Sequence, residues 1–307
     1  MKTKQKIFID CDPGHDDAIA LLVALYSDNL EVVGVSTCSG NQTVEKTTIN
    51  AFNLLNFFNR SDIPLAKGNP NPLVRESRIC PEIHGESGLD GFIFPKYETA
   101  ISNKIGADLI IEKVMENKNI IVVTTGPMTN LAIAIKKEPR ILKNIKEIVL
   151  MGGSTGEGNI TKAAEFNILV DPEAANICFT AGVPLRMLGL NVTRQILVNK
   201  EVMEEAKTIK TRGGDLFVKL MEVFNKNQRE FFGLEAGPLH DPATIVSLIN
   251  DKTFKFEKMN VKIDTSNTDL AGKTECIPDE NGNVSVAVEV NLEEYWKEIY
   301  KALRRVI

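Results

Sequence analysis

The chain lacks four features that would each indicate a particular class of protein. No stretch contains the run of about 18 apolar residues that a membrane-spanning helix requires, so we expect no membrane partner. A net charge of −5 does not favour binding to nucleic acid. The five cysteines are odd in number and lack metal-binding spacings, which predicts reduced thiols in a cytoplasmic protein. The basic segment 1–6 is followed by a short apolar run before Asp10, so no signal peptide is predicted.

Short apolar segments alternate with segments of helical spacing. The predicted strands are 7–9, 30–37, 120–124, 148–151 and 183–190, with a short extended piece at 63–66. Because these segments are almost wholly apolar, they are typical of parallel strands covered on both faces. The predicted fold class is therefore α/β: a mostly parallel central sheet, open and Rossmann-like, flanked by helices on both faces, in a single domain of residues 1–307.

Other segments depart from this alternation. Residues 67–100 are rich in glycine, proline and asparagine and predict a long loop, which inside a domain is usually functional. Residues 191–240 predict a helical cap, with helices near 199–210 and 214–231. Segments 254–263 and 284–290 alternate apolar with polar residues, which predicts strands with one wet face. Segment 292–306 predicts an amphipathic helix.

The acidic segment 9–17 carries four carboxylates between a predicted strand and a predicted helix: Asp10, Asp12, Asp16 and Asp17. They therefore lie at the carboxyl end of a strand, where ligands bind in open α/β sheets. Four acids at one turn repel one another, and a divalent cation such as Ca²⁺ or Mg²⁺ would remove that repulsion. As an alternative, Asp16 and Asp17 could cap the following helix, but Asp10 and Asp12 precede it by too much.

Polar residues also follow the other predicted strands, at what should be the same rim. Asn41 and Thr125 each come directly after a strand, and the Thr125 carbonyl could bind a cation. Asn159, Glu165 and Asn167 together offer donors and acceptors that suit the hydroxyl groups of a sugar. Loop capping and turn chemistry are the alternative explanation for these residues.

The chain contains only three histidines. His15 lies inside the acidic segment and is expected to point to solvent. His84 lies in the glycine-rich segment 83–88, either as a hydrogen-bonded loop residue or as part of a site. His240 precedes Asp241, which could supply one more oxygen to a metal and leave His240 free as an acid near neutral pH. Alternatively, Asp241 begins the next helix as its cap.

At this point the motifs, taken together, resemble those of the inosine-uridine-preferring nucleoside hydrolases. The N-terminal signature is Asp-Cys-Asp-Pro-Gly-His-Asp-Asp at 10–17. Further matching segments are Gly-Asn-Gln-Thr at 40–43, Ile-His-Gly-Glu-Ser-Gly at 83–88, Thr-Gly at 125–126, Thr-Asn-Leu at 129–131, Val-Leu-Met-Gly-Gly at 149–153, Ala-Glu-Phe-Asn at 164–167, Asp-Pro-Glu-Ala-Ala at 171–175 and His-Asp-Pro at 240–242. The resemblance covers essentially the whole chain, in order.

The resemblance implies a Ca²⁺-dependent hydrolase that splits the N-glycosidic bond of ribonucleosides into base and ribose. It implies that the metal ligands are Asp12, Asp17, the Thr125 carbonyl and Asp241. Asp12 would also be the general base, and His240 the acid that assists the leaving base. It further implies that the protein forms a homodimer or homotetramer. The implied binding partner is a small molecule, the nucleoside substrate.

The same resemblance implies a set of substrate contacts. They are Asp16, Asn41, His84, Met151, Asn159, Glu165, Phe166, Asn167 and Gln228. Met151 would lie beneath the sugar, Asn159 and Glu165 toward the 5′-hydroxyl, and His84 near the base.

The base preference depends on the predicted cap. Gln228 resembles the pyrimidine-preferring branch of the family, in which an amide reads the edge of the base. Phe224 and Phe232 stand one helical turn on either side of it. Because of Gln228, we expect uridine or cytidine as the preferred substrate. Phe232 departs from the pyrimidine branch, where a hydroxylated aromatic is expected at this position, and this departure leaves inosine open. A solvated helix residue is the alternative interpretation of Gln228.

Two other functions stay open. A metal-dependent phosphotransferase would use Asp10 as a covalent nucleophile, but the residues that follow Asp12 fit that pattern poorly. A non-catalytic nucleoside- or ribose-binding module would need a missing base or metal ligand, and none of the implied positions is missing.

Overall fold

The computed structural model describes residues 3–97 and 101–307, with ten strands in one sheet. The strands are β1 (Gln5–Cys11), β2 (Leu30–Thr37), β3 (Leu65–Lys67), β4 (Ser102–Ile105), β5 (Ile120–Thr124), β6 (Ile145–Met151), β7 (Leu185–Leu188), β8 (Phe254–Ile263), β9 (Thr274–Pro278) and β10 (Val284–Val290). Their order in the sheet is β4-β3-β2-β1-β5-β6-β7-β10-β8-β9.

Helices connect most of these strands. They are α1 (His15–Leu25), α2 (Val44–Phe57), α3 (Pro81–His84), α4 (Gly106–Glu116), α5 (Thr129–Lys137), α6 (Phe166–Val170), α7 (Pro172–Phe179), α8 (Leu190–Thr193), α9 (Lys200–Thr208), α10 (Arg212–Phe232), α11 (Pro242–Ile249) and α12 (Leu292–Leu303), with a 3-10 helix at Pro139–Lys143. Within the described ranges, none of the helices has the length and apolar character needed to cross a membrane.

Strand β1 lies at the centre of the sheet and shows why the sheet is covered on both sides. It pairs in parallel with β2 and with β5. Side chains of a strand alternate between faces, so Ile7 and Ile9 join one hydrophobic cluster and Phe8 joins the other. The predicted α/β class, with a mostly parallel sheet between helices, is confirmed.

One edge of the sheet differs from the rest. Strand β8 runs antiparallel to both β10 and β9, whereas β10 pairs in parallel with β7. In β8 and β10, buried residues are interspersed with exposed or half-buried ones, which confirms the prediction of strands with one wet face at 254–263 and 284–290.

The predicted helical region at 191–240 contains α9 and α10. Helix α10 packs against α9 and α3, and also against α1 and α12 of the main body. Its Phe217 and Phe224 are buried. This region therefore forms one wall of the molecule at the carboxyl edge of the sheet and is continuous with the core.

Several elements differ from the sequence-based expectation. The predicted loop 67–100 contains α3, and residues 98–100 of that prediction lie outside the described residues. Strands β4 and β9 were not predicted, because β4 is short and β9 is a largely exposed edge strand that ends in proline. The strand predicted at 183–190 is shorter, since only Leu185–Leu188 pair in the sheet. Helix α6 has five residues, too few for a periodic pattern.

Candidate active site

A cavity of about 1080 Å³ opens at the carboxyl edge of the sheet. The predicted site residues that line it are Asp16, Asn41, His84, Thr125, Met151, Asn159, Glu165, Phe166, Asn167, Gln228, His240 and Asp241. The other two, Asp12 and Asp17, are fully buried and contact residues of this lining. The structure therefore brings all the predicted residues to one place.

Asp17 is held from three directions. Its Oδ1 accepts a hydrogen bond from the Thr125 hydroxyl at 2.7 Å. Its Oδ2 accepts from the Gly14 N–H at 3.1 Å and from the Asn41 amide at 3.0 Å. The bond from Gly14 caps helix α1, so the capping interpretation holds for Asp17. The remaining two bonds tie the first turn of α1 to the loops after β2 and β5.

Three carboxylates approach one another closely enough to share a cation. Oxygens of Asp16, Asp17 and Asp241 lie within 4.8 Å of one another, and all three residues are buried. Burial, and next the charge of Asp17, raises the pKa of Asp16 to about 7. Burial, followed by the charges of Asp16 and Asp17, raises the pKa of Asp241 well above its usual range. These carboxylates could bind a metal ion.

Unsatisfied acceptors support the same conclusion. Oδ1 of Asp12 and Oδ1 of Asp16 are buried, and neither has a hydrogen-bond partner among the described residues. Buried acceptors without donors are costly unless a cation or water satisfies them. Burial, and then the charge of Asp17, raises the pKa of Asp12 well above its usual range. This all-oxygen donor set fits a hard divalent ion.

Glycines allow the backbone to approach Asp12. Its Oδ2 accepts from the Asn41 N–H at 2.7 Å. A methyl group at Gly40 or at Gly126 would overlap the Asp12 carboxylate. The loops after β2 and β5 therefore close around Asp12 because their nearest residues have no side chain.

Asp10, the first acid of the signature, has a different place. It is fully buried and does not line the cavity. Its Oδ1 accepts from the Ser36 hydroxyl at 2.5 Å and from the Asn130 amide at 2.9 Å. This position argues against the phosphotransferase alternative, which needs Asp10 as an accessible nucleophile.

Ser154 also lies outside the cavity. It stands in the middle of a Gly-x-Ser-x-Gly sequence at 152–156. Its side chain is buried, accepts from the Gly156 N–H and does not line the cavity. It is therefore not placed as a nucleophile.

Glu165 caps helix α6 and also joins it to the end of β6. Its Oε1 accepts from the Asn167 N–H at 2.9 Å. Its Oε2 accepts from the N–H groups of Gly153 at 3.0 Å and Ile168 at 3.1 Å. Burial raises the pKa of Glu165 to about 7, against the lowering effect of these bonds. The carboxylate lines the cavity and fixes the start of α6.

Asn167 connects that helix to the Thr125 carbonyl. Its Nδ2 donates to the Thr125 carbonyl at 2.8 Å and to the Met151 carbonyl at 3.2 Å. The carbonyl predicted to bind a metal is therefore oriented by a side chain that itself lines the cavity.

Asn159 and Arg194 shape the loop between β6 and α6. The Asn159 Oδ1 accepts from the Phe166 N–H at 3.0 Å. The Arg194 guanidinium donates to the carbonyls of Glu157 at 3.1 Å and Gly158 at 2.5 Å. Arg194 was not predicted as a site residue, because no motif surrounds it.

His15 and His84 form a buried pair, and the expectation that His15 points to solvent is wrong. His15 is fully buried, with its Nε2 donating to the Asp90 carbonyl at 2.8 Å. Its backbone N–H donates to Nδ1 of His84 at 3.3 Å. The Phe224 ring lies 5.6 Å from His15 and 5.9 Å from His84, between ring centroids. Burial lowers the pKa of His15 to about 4. A pattern of residue types could not show that the loop after α3 folds back over this turn.

His240 also lines the cavity. Its Nδ1 lies 2.7 Å from the hydroxyl oxygen of Thr193, which is fully buried. Burial, with a smaller effect of the Arg194 charge, lowers the pKa of His240 to about 3. The imidazole is therefore neutral at neutral pH. Thr193 was missed in the sequence, since α8 carries no recognisable motif.

Gln228 is buried in the cavity wall, so its interpretation as a solvated helix residue is wrong. It is 5% exposed, and no side chain or backbone group of the described residues bonds to its amide. Phe224 is buried one turn before it, and Phe232 is partly exposed one turn after it at the cavity mouth. The amide is thus available to a ligand.

Comparisons with known proteins show the family of the chain. A family model described as inosine-uridine preferring nucleoside hydrolase matches residues 7–297. The pyrimidine-specific ribonucleoside hydrolase RihB of Escherichia coli O1:K1 / APEC is 38% identical over 311 aligned positions, covering 99% of this chain and 98% of that protein. RihB of Shigella flexneri shows the same identity and coverage.

Solved structures are also similar. A plant nucleoside hydrolase, the PpNRh1 enzyme, has a TM-score of 0.91 at 31% identity, covering 99% of this chain and all of that one. A purine-preferring ribonucleoside hydrolase from Gardnerella vaginalis has a TM-score of 0.89 at 29% identity, covering 98% and 99%. The chain therefore belongs to the inosine-uridine preferring nucleoside hydrolase family and is an N-glycosyl hydrolase.

Proposed function

We propose that this enzyme hydrolyses the N-glycosidic bond of ribonucleosides in a Ca²⁺-dependent reaction and prefers pyrimidine nucleosides. The observation that carries the proposal is the group of buried carboxylates beside the cavity, with acceptor oxygens that no described donor satisfies. The relatives from E. coli and S. flexneri are named pyrimidine-specific ribonucleoside hydrolases, which supports the choice of base.

The proposed ion site uses oxygen atoms only. The proposed ligands are Asp12, Asp17, the Thr125 carbonyl and Asp241. Asp16, whose carboxylate lies within 4.8 Å of those of Asp17 and Asp241, is proposed to bind the ribose beside the ion. Ca²⁺ accepts a larger and less regular set of oxygens than Mg²⁺, which favours it here. When bound, the ion would offset the repulsion among the carboxylates and lower the pKa of a water molecule.

Asp12 is the proposed general base. Its buried, unpartnered Oδ1 is available to accept a proton from water. Burial and the charge of Asp17 raise its pKa when no ion is present, and a bound ion would lower it again, so that the carboxylate would be charged and able to accept the proton. As the water oxygen bonds to C1′ of the ribose, the bond from C1′ to the base breaks. The surrounding buried carboxylates favour the positive charge that develops on the sugar.

The sugar is proposed to lie over Met151. Asn41, Asn159 and Asn167 each bring an amide to the lining of the cavity, and Glu165 adds a carboxylate. An amide both donates and accepts, so such a set can bind several hydroxyl groups in one orientation. The backbone bonds to Glu165 and Asn159 keep these groups in place before substrate arrives.

The base is proposed to lie between His84 and Gln228. The Gln228 amide has no partner within the described chain and can read the donor and acceptor edge of a pyrimidine. His240 is neutral and is proposed to donate a hydrogen bond to the leaving base. Phe232 supplies an apolar surface at the mouth of the cavity.

The test compares uridine, inosine and p-nitrophenyl riboside, each with and without a chelator. Free base and ribose should appear without phosphate, faster from uridine than from inosine, and the chelator should stop the reaction. In saturating Ca²⁺, Asp12→Asn should still unfold in one cooperative thermal transition and lose about 10²–10⁴-fold in kcat. Asp251→Asn is the control, because Asp251 is exposed and outside the cavity.

Two outcomes would contradict the proposal. If Asp12→Asn cleaved uridine at the parent rate, the assignment of the base would be wrong. Faster release of hypoxanthine from inosine than of uracil from uridine would contradict the base preference and leave the hydrolase assignment in place.

A further inference from the structure

Thr193 contacts His240 but has no role in the proposed chemistry. The Thr193 hydroxyl oxygen lies 2.7 Å from Nδ1 of His240. Thr193 is fully buried in α8, whereas His240 is partly exposed and lines the cavity. Since Nδ1 contacts a buried hydroxyl, Nε2 is the ring nitrogen left for the cavity.

Hydrogen-bond accounting decides which atom is the donor. A buried threonine in a helix can donate its hydroxyl to the backbone carbonyl four residues earlier, as Thr48 of α2 does to Val44. The Thr193 hydroxyl makes no such bond, and His240 is its only partner in the described chain. If Nδ1 carried the proton, the buried Thr193 O–H would have no acceptor, at a cost of about 1–3 kcal/mol. The hydroxyl therefore donates, and Nδ1 accepts.

We propose that Thr193 is a positioning residue that fixes His240 as the tautomer with its proton on Nε2, facing the substrate base. The inference rests on the proposed function, because it assigns a partner to the group that assists the leaving base. It adds a residue that no sequence motif indicated. Without the hydroxyl, the imidazole could rotate or carry its proton on Nδ1, and either change removes the donor from the cavity.

When the bond from C1′ to the base breaks, its electron pair moves into the base. The Nε2–H group of His240 donates a hydrogen bond that stabilises this negative charge. Asp12 takes one proton from the attacking water and releases it to solvent after the reaction, and the departed base takes one proton from solvent, so no reactant besides water is required.

The leaving group provides a sharp test. Uracil is a poor leaving group and depends on the donor, whereas p-nitrophenolate leaves without one. Thr193→Val should lower kcat on uridine by about tenfold or more and leave kcat on p-nitrophenyl riboside within about twofold. Thr193→Ser keeps the hydroxyl and should restore uridine turnover. Thr253→Val is the matched control, because Thr253 is also fully buried and its hydroxyl has no partner within the described residues.

Two further measurements separate positioning from general damage. His240→Ala should show the same selective loss, and adding Thr193→Val to it should cost nothing more, because one interaction has been removed twice. The ¹⁵N NMR spectrum of the parent, with only three histidines to resolve, reports the His240 tautomer directly.

Equal loss on both substrates, full activity of Thr193→Val, or an Nδ1-protonated His240 would each overturn the inference while the hydrolase function stood. A parent enzyme that released no base from any nucleoside would overturn the proposed function, and the inference with it.

Discussion

Replacing Glu165 by glutamine tests whether one buried carboxylate holds both the fold and the sugar site. Three backbone N–H groups point at its two oxygens: Asn167 at Oε1, and Gly153 and Ile168 at Oε2. Glutamine has one acceptor oxygen in place of two. If that oxygen takes the position of Oε2, the amide NH₂ faces the Asn167 N–H, so two donors meet.

The magnitude follows from these bonds. The best arrangement of glutamine leaves one buried N–H without an acceptor, which costs about 1–3 kcal/mol of unfolding free energy. For a chain of this length that corresponds to a fall in Tm of roughly 2–6 °C. The displaced Asn167 would also weaken its bond to the Thr125 carbonyl, so we expect a higher KM for nucleosides.

Thermal unfolding should be measured at about pH 8, where the carboxylate is charged and offers two acceptor oxygens. Because burial raises the pKa of Glu165 to about 7, above its unfolded value, charging the group costs folding free energy as the pH rises through 7, and this cost offsets part of the loss expected for glutamine. Glu157→Gln is the matched control. It makes the same chemical change in the same loop, but its side chain is exposed and makes no hydrogen bond to the described residues, so unfolding free energy should change by less than about 0.5 kcal/mol. If Glu165→Gln melted with the parent and the control, the carboxylate would not be needed as an acceptor.

Three further predictions concern the metal and the base. Chelation should lower Tm, and Ca²⁺ should restore it more fully than Mg²⁺; an ion present at about 100 times its Kd contributes about 2.7 kcal/mol. Gly126→Ala should lower kcat/KM on uridine by about 10²-fold, because the added methyl overlaps Asp12 and moves the proposed base. Gln228→Leu should lower kcat/KM on uridine about tenfold, equivalent to one lost hydrogen bond, with little effect on p-nitrophenyl riboside.

Each of these has a clear contrary result. If the chelator left Tm unchanged, the buried carboxylates would not need an ion for the stability of the fold. Parent-like activity in Gly126→Ala would show that the Asp12 position is not critical. An equal loss on both substrates in Gln228→Leu would point to a structural role for that side chain.

Local patterns were enough to predict most of the sheet and the place of the site. The strands 30–37, 120–124 and 284–290 were predicted correctly because each is a short segment with a clear apolar or alternating pattern. The rule that loops at the carboxyl ends of parallel strands converge then brought Thr125 and Asn41 to the same cavity.

What the sequence could not show are contacts between distant segments. The burial of His15 depends on the Asp90 carbonyl, 75 residues away, and the His240 contact with Thr193 spans 47 residues. Neither pair forms a local pattern. The short helix α6 begins where the Glu165 side chain accepts from its first N–H groups, a local cap that residue periodicity does not record, and the bond from the Gly153 N–H fixes that cap to the end of β6.

Asp10 shows how a residue outside the cavity can determine the geometry inside it. Its Oδ1 joins Ser36 at the end of β2 to Asn130 at the start of α5, while its own backbone carbonyl accepts from the Thr125 N–H at 3.0 Å. Asn130 also donates to the Thr37 carbonyl at 2.9 Å. These bonds therefore join the ends of β1, β2 and β5 next to the acidic segment. Since those three ends carry the acidic turn and the loops with Asn41 and Thr125, we expect the spacing of the proposed ion-binding oxygens to depend on a buried acid that does not line the cavity.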